Sequence, residues 1–386
     1  MAKYHFFLSL TACLLAFLTP TFGADDVTPG MIFTVDLKGT SNGGCGGREG
    51  IVDQWIAEGS FSVDTAMAAI DKFENEGTES ELVREAILMW FGIGTSGTKK
   101  GNKKSKNEDT KALVAEVKAK LDHVQDYFNF RKTGRTPKYD PKTRFLFCHS
   151  NFLERHAKTD PALDFQAKVM KDKDNKDIPI GGVQAYKDAI EKEKKAIPWW
   201  AGAGGVNGYF FTETGGDFCG PEKNLGLTAK IEKLKAAKSK GTAVLDKVVE
   251  MIIICPAAFD KSPQQNSYRE ANGLVSKGLG LEKVVPKSAT LLHELFHGIF
   301  GDKMAAGKDE DYDISDCIKL AKKNPTKAQK NIENYVFFIA HMYHLFGEDE
   351  GDNEPVSIKK KWNFEPAEVK GKGKATTWAC GAVEPA

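Results

Sequence analysis

Residues 288–304 read SATLLHELFHGIFGDKM, and both the fold and the functional reading of the chain turn on them. Leu291, Leu292, Leu295 and Phe296 recur at helical spacing, which predicts a largely buried helix. Ser288 stands where a hydroxyl can accept a free backbone N–H at a helix start. Residues four apart share a helical face, so His293 and His297 converge on one point. Glu294 lies about 100° round the axis from His293. Two neutral imidazoles with an open position suit a zinc ion, which lowers the pKa of a bound water. A carboxylate beside them can take a proton as water attacks a carbonyl, then return it to the leaving amine. The plainer alternative is a core helix with two satisfied histidines and a surface glutamate. A third ligand decides between them.

Several downstream residues qualify. Asp302 would need a sharp turn, because a continued helix carries it to the far side. Glu333 is the best placed glutamate on the next helix, and His341 or His344 could substitute for it. In AAGKDEDYD (305–313) the small residues Ala305, Ala306 and Gly307 let the chain leave the helix and fold back, bringing Asp309 and Tyr312 near. The metzincin pattern is excluded, since Phe300 and Lys303 occupy its Gly and His positions.

The remaining chain sets the context. Its 386 residues can bury one large core or two ordinary ones, and 41% apolar with 28% charged residues describe a folded, soluble protein. A net charge of +1 gives no global field toward nucleic acid or an anionic membrane, so neither is expected as a partner. Residues 1–23 read as a secretory signal peptide: Lys3, an apolar run from Phe6 to Leu18, and small residues at Gly23 and Ala24. The run is too short to span a bilayer core of about 30 Å. A secreted, extracellular, monomeric protein is therefore expected. Cys13 leaves with the leader, and Cys45, Cys148, Cys219, Cys255, Cys317 and Cys380 can form up to three disulfides.

Helical periodicity covers GCGGREGIVDQWIAEG (44–59), VDTAMAAIDKFENE (63–76), ESELVREAILMWFG (79–92) and TKALVAEVKAKLDHVQDYF (110–128). Between the last two, residues 94–109 form a Lys-rich stretch that reads as an exposed loop. TRFLFCHS (143–150), VNGYFFTET (206–214) and KVVEMIIICP (247–256) read as strands, the last buried because it is almost continuously apolar. A charged insertion spans about residues 155–196, helix returns at Ser288 and again over 326–346, and 347–386 is a polar tail. No internal repeat is evident. The pattern predicts an α+β domain over 24–346, mainly helical with a small sheet and charged insertions. Trp199 and Trp200 in IPWW could line a peptide cleft, but core packing accounts for them better. His123, His149 and His156 read as structural or surface residues.

The Asp309-Glu310-Asp311-Tyr312 run also carries a resemblance. With the upstream HExxH it is similar to the fungal deuterolysin-like peptidases, the aspzincins, in which Gly-Thr-x-Asp-x-x-Tyr-Gly follows the metal helix. CIKLAKKNPTKAQKNIENYVFF (317–338) resembles that family's Cys, Leu-Ala, Pro, Ala and Asn-Ala-Asp-x-Tyr helix. IIICPAAF (252–259) and CGGREGIVDQWIAEG (45–59) are similar to its Cys-Pro strand end and its first helix. Lys308, Asp313 and the Asn331-Ile332-Glu333-Asn334-Tyr335 run depart from the family pattern. The resemblance implies a zincin-like metallopeptidase domain and a secreted zinc endopeptidase acting on protein or peptide substrates. Its Zn2+ would be held by His293, His297 and Asp309, with Asp311 the other candidate in that loop. Glu294 would serve as general base and then acid, and Tyr312 would hydrogen-bond the oxyanion. The competing expectation is a secreted binding or effector protein on the same scaffold. Retention of Glu294 argues against it, because a scaffold that only bound zinc would not need the base.

Overall fold

The computed structural model describes residues 28–94, 108–129, 143–202, 205–237, 242–260, 263–305, 309–347, 360–369 and 377–385. The leader expected at 1–23 and nearly all of the Lys-rich stretch lie outside them. The fold is mixed α+β. Helices α1 (Pro29–Ile32), α2 (Glu49–Asp71), α3 (Thr78–Phe91) and α4 (Glu108–Asn129) come first. Strands β1 (Phe145–Phe147) and β2 (Glu154–Arg155), helix α5 (Gln184–Lys192), and strands β3 (Ile197–Trp200), β4 (Tyr209–Thr212), β5 (Gly226–Ala236) and β6 (Ala243–Ile254) follow. Helices α6 (Pro256–Asp260), α7 (Tyr268–Asn272), α8 (Ala289–Phe300), α9 (Ile314–Lys323), α10 (Pro325–Ala328) and α11 (Ile332–Phe346) precede a hairpin of β7 (Asn363–Val369) and β8 (Thr377–Val383).

The main core lies among the helices. α2 runs as one long helix through both N-terminal helical segments, because its small residues let other helices approach without breaking it. A Cβ added at Gly59, for example, would come within 3.0 Å of the Phe128 ring on α4. α11 is buried on almost every side, as a helix apolar all round must be.

The six-stranded sheet has the order β1-β6-β5-β4-β3-β2, with β1 parallel to β6 and the other pairs antiparallel. The end of β6 explains its apolar run. Ile252 and Ile254 join the helical core, whereas Met251 and Ile253 face a second cluster with Phe147, Phe152 and Trp199. Alternate residues of a strand point to opposite faces, so a strand covered on both sides is apolar throughout. α8 lies across β5 and β6 with α2 and α11 beside it, which buries the predicted metal helix.

The charged insertion folds as a small lobe with its own core of Ala162, Met170, Ile178, Ile180 and Tyr186 against Trp200 and Tyr209. Within it two turns share one geometry. Asp164 and Asp172 open two equivalent turns, each accepting through Oδ1 the N–H groups two and four residues on. Ala167 and Asn175 both take φ of 61° in these turns. The repetition is one of turn geometry, which different side chains satisfy.

The C-terminal segment is more than a tail. Trp362, Phe364, Cys380 and Ala382 of the hairpin region enter the main core beside α11. Disulfides join Cys45 to Cys148 and Cys219 to Cys255, while Cys317 and Cys380 are free and buried. The hairpin is held by packing and backbone bonds, such as Gly278 N to Ala382 O at 2.8 Å. Among the described residues no helix is long and apolar enough to cross a membrane.

Candidate metal centre

The helix predicted from LLHELFH forms as α8, with His293 and His297 on one face and ring centroids 4.9 Å apart. Its start differs from expectation. Ser288 adopts helical angles (φ −57°, ψ −25°) and caps nothing; its buried hydroxyl meets the Glu58 carboxyl of α2 instead.

Both imidazoles present Nε2 to a single carboxylate, that of Glu310. His293 Nε2 lies 3.7 Å from Glu310 Oε1, and His297 Nε2 lies 3.4 Å from Oε2. One donor atom from each of the three residues falls within 4.8 Å of the others, so this buried group can hold a metal ion. The expected ligand Asp309 is exposed, and Asp311 is held through its backbone on the neighbouring helix turn. Residues two apart share a side of a non-helical, extended chain. Glu310 and Tyr312 do so here: the Tyr312 hydroxyl donates to Glu310 Oε2 at 2.8 Å, and its ring lies over His293 at 5.8 Å. The structure thus brings Glu310 to the imidazoles, where the family-like spacing led to Asp309.

The other candidates fall elsewhere. Glu333 Oε1 lies 3.0 Å from the opposite nitrogen of His293, Nδ1. That contact favours the proton on Nδ1 and leaves the Nε2 lone pair free for a cation, the usual role of a carboxylate behind a metal-binding imidazole. His341 and His344 are structural. His341 Nδ1 accepts from Trp90 Nε1 at 3.3 Å and its Nε2 meets Asn363 Oδ1 at 2.8 Å. His344 lies between Asn272 Nδ2 and Val284 O, each 3.2 Å away. His123 packs on Phe300, His149 accepts from Asn151 N and His156 faces Asp160, none of them at the centre. Trp199 and Trp200 are buried in the sheet region, so they do not line the cleft.

Glu294 is buried, and the Thr228 hydroxyl of β5 lies 2.8 Å from both its carbonyl and its Oε2. Gly226 gives β5 its close approach: a Cβ there would sit 2.8 Å from the Glu294 carboxylate. Burial pushes the Glu294 carboxyl above the usual range. Burial acts the same way on Glu310, but His297, His293 and the Tyr312 hydroxyl outweigh it and hold the group ionised. Burial disfavours a charged His293, yet Glu333, Glu294 and Glu310 together raise it to about 9. A site whose carboxylates draw positive charge onto an imidazole in this way favours a cation. One further observation fits a metal: Glu310 Oε1 is buried with no hydrogen-bond partner, which a buried carboxylate oxygen rarely tolerates.

His293, Glu294, Tyr312 and Glu333 border a cavity of about 600 Å³. Its walls are the segment from Phe218 to Gly226, anchored by the Cys219–Cys255 disulfide, and the segment from Glu282 to Thr290, with Val336 and Phe337 between them. Sequence reasoning missed Glu310, Gly226, Thr228 and the role of Glu333 toward Nδ1. The only available signal for Glu310 was its position in the acidic run. Comparison with family models, with curated proteins and with solved structures finds no match to this chain.

Proposed function

We propose that the protein is a secreted zinc-dependent endopeptidase, with a zincin-like centre of His293, His297 and Glu310. The observation that carries the reading is the convergence of two Nε2 atoms and one buried carboxylate beside the buried carboxyl of Glu294. An N,N,O donor set suits zinc, and catalytic zinc sites commonly take three protein ligands. When bound, the ion would polarise a peptide carbonyl and acidify a water.

The chain's own residues do the rest. Glu294, with its affinity for a proton raised by burial, takes one from the attacking water and passes it to the leaving nitrogen. Tyr312 can swing its phenol from Glu310 to the developing oxyanion, since its side chain is largely exposed to the cavity. Glu333 holds the His293 ring. The outer edge of β5 from Gly226 to Ala229 carries no paired strand among the described residues, because β4 meets β5 only at Tyr209 and Glu232. An extended peptide can add there as a further strand, with its backbone running past Glu294. The two disulfides and the leader-like N-terminus support action outside the cell.

The test is elemental analysis of the purified protein together with casein cleavage. One zinc per chain is expected, with cleavage lost to a chelator, restored by zinc and abolished in Glu294→Gln. A protein that holds its zinc yet cleaves neither casein nor a peptide library would be a binding protein on this scaffold.

A further inference from the structure

The loop that carries Glu310 is held by the turn of chain at the start of α11 and by Cys317 of α9, whose thiol donates to Asp311 O at 3.3 Å. Asn is among the preferred residues at a helix N-cap, where its side chain normally accepts an N–H of its own helix. Asn331 occupies that position with extended angles (φ −87°, ψ 119°), but its side chain makes no cap bond. Both ends of its carboxamide are spent across the gap on Asp311. Asp311 N donates to Asn331 Oδ1 at 2.9 Å, and Asn331 Nδ2 donates to Asp311 O at 2.9 Å. The preceding residue holds the other end of the loop, with Ala305 N donating to Lys330 O at 2.8 Å.

Asn331 is fully buried, and its amide is fixed from behind by donation to Asn334 Oδ1 at 2.7 Å. Asn334 in turn donates to Cys317 O at 3.2 Å, which ties the arrangement to α9. Two residues beyond Asn331, Glu333 meets the Nδ1 of His293. One turn therefore sets both the loop bearing the carboxylate and the ring bearing an imidazole.

We propose that Asn331 is a positioning residue of the metal centre, its carboxamide fixing the Asp311 backbone so that Glu310 and Tyr312, on either side, face His293 and His297. The inference rests on the metal-centre reading above. It touches neither metal nor substrate, so its effect passes through the donor geometry. Loss of such an outer partner typically weakens metal binding by about 10–100-fold.

The experiment measures the zinc Kd by chelator competition, and the visible absorption of the Co(II)-substituted protein, for wild type and three variants. Asn331→Ala removes both bonds to Asp311. Asn331→Asp keeps the size and the acceptor but loses the donor, and carries the test if the alanine variant does not fold. Tyr335→Phe is the matched control, since it deletes a buried 3.0 Å bond to Gln329 O close to the same turn and does not touch the loop. Expected is a rise in zinc Kd of about 10–100-fold with an altered Co(II) band in Asn331→Ala, a smaller rise in Asn331→Asp, and a Kd within about twofold of wild type in Tyr335→Phe. Wild-type Kd and spectrum in both Asn331 variants overturn the positioning role while leaving the metal centre intact. Equal weakening in Tyr335→Phe overturns it too, by reducing it to general stability. A wild type that binds no metal removes the centre itself.

Discussion

Gly226 of β5 presses its backbone against the carboxylate of Glu294, so closely that a Cβ there would lie 2.8 Å from both Cγ and Oε1. Gly226→Ala must therefore displace the proposed base without touching a metal ligand. A shift of about 1 Å at a reacting group can cost about 100-fold in rate. The expected result is a large fall in kcat with zinc content unchanged, read by steady-state kinetics beside elemental analysis. Full activity would mean that Glu294 has room to spare and that its placement by β5 is not required.

The third ligand is separable by mutation. Glu310→Gln should weaken zinc binding beyond the ~10–100-fold of an outer partner. Asp309→Ala should leave the Kd unchanged, because Asp309 is exposed. Chelator competition on the two variants decides the matter, and zinc lost only with Asp309 would restore the ligand inferred from family resemblance.

A buried acid sets an alkaline limit on stability. Glu58 on α2 is fully buried, accepts from Tyr268 N at 3.0 Å, and meets the hydroxyls of Ser288 and Ser267. Burial pushes its carboxyl from 4.5 to about 8. The folded state thus keeps a proton that the unfolded chain releases above 4.5. Stability is full below that pH, falls as pH rises, and levels off above about 8. Glu58→Gln should add on the order of 3 kcal/mol at pH 7 and little at pH 4.5. Thermal melts across that range test it; a gain independent of pH would contradict the argument.

Two histidines set the opposite limit. Burial drives His341 and His344 from 6.5 down to about 4. Here the unfolded chain binds the protons first, so stability is present above 6.5 and is lost as pH falls toward 4. His341→Gln, which can keep the contact to Asn363, should melt at a temperature less sensitive to pH between those limits. An unchanged slope would show that other groups dominate acid unfolding.

The sequence by itself was enough for what depends on local spacing. The α8 helix, the pairing of His293 with His297 on one face, and the buried end of β6 all follow from periods of 3.6 and 2, which the chain carries residue by residue. The even number of cysteines outside the expected leader raised the expectation of disulfides, and two form among the described residues. Only the tertiary structure decided which acid in the 309–313 run faces the imidazoles, because that depends on how the loop is pinned from α11. Glu333, Gly226 and Asn331 were illegible for the same reason: each acts on a residue far away in sequence, and no local pattern encodes such a contact. The polar composition of the C-terminal segment likewise hid a hairpin whose few apolar residues matter only once α11 and α9 are in place to receive them.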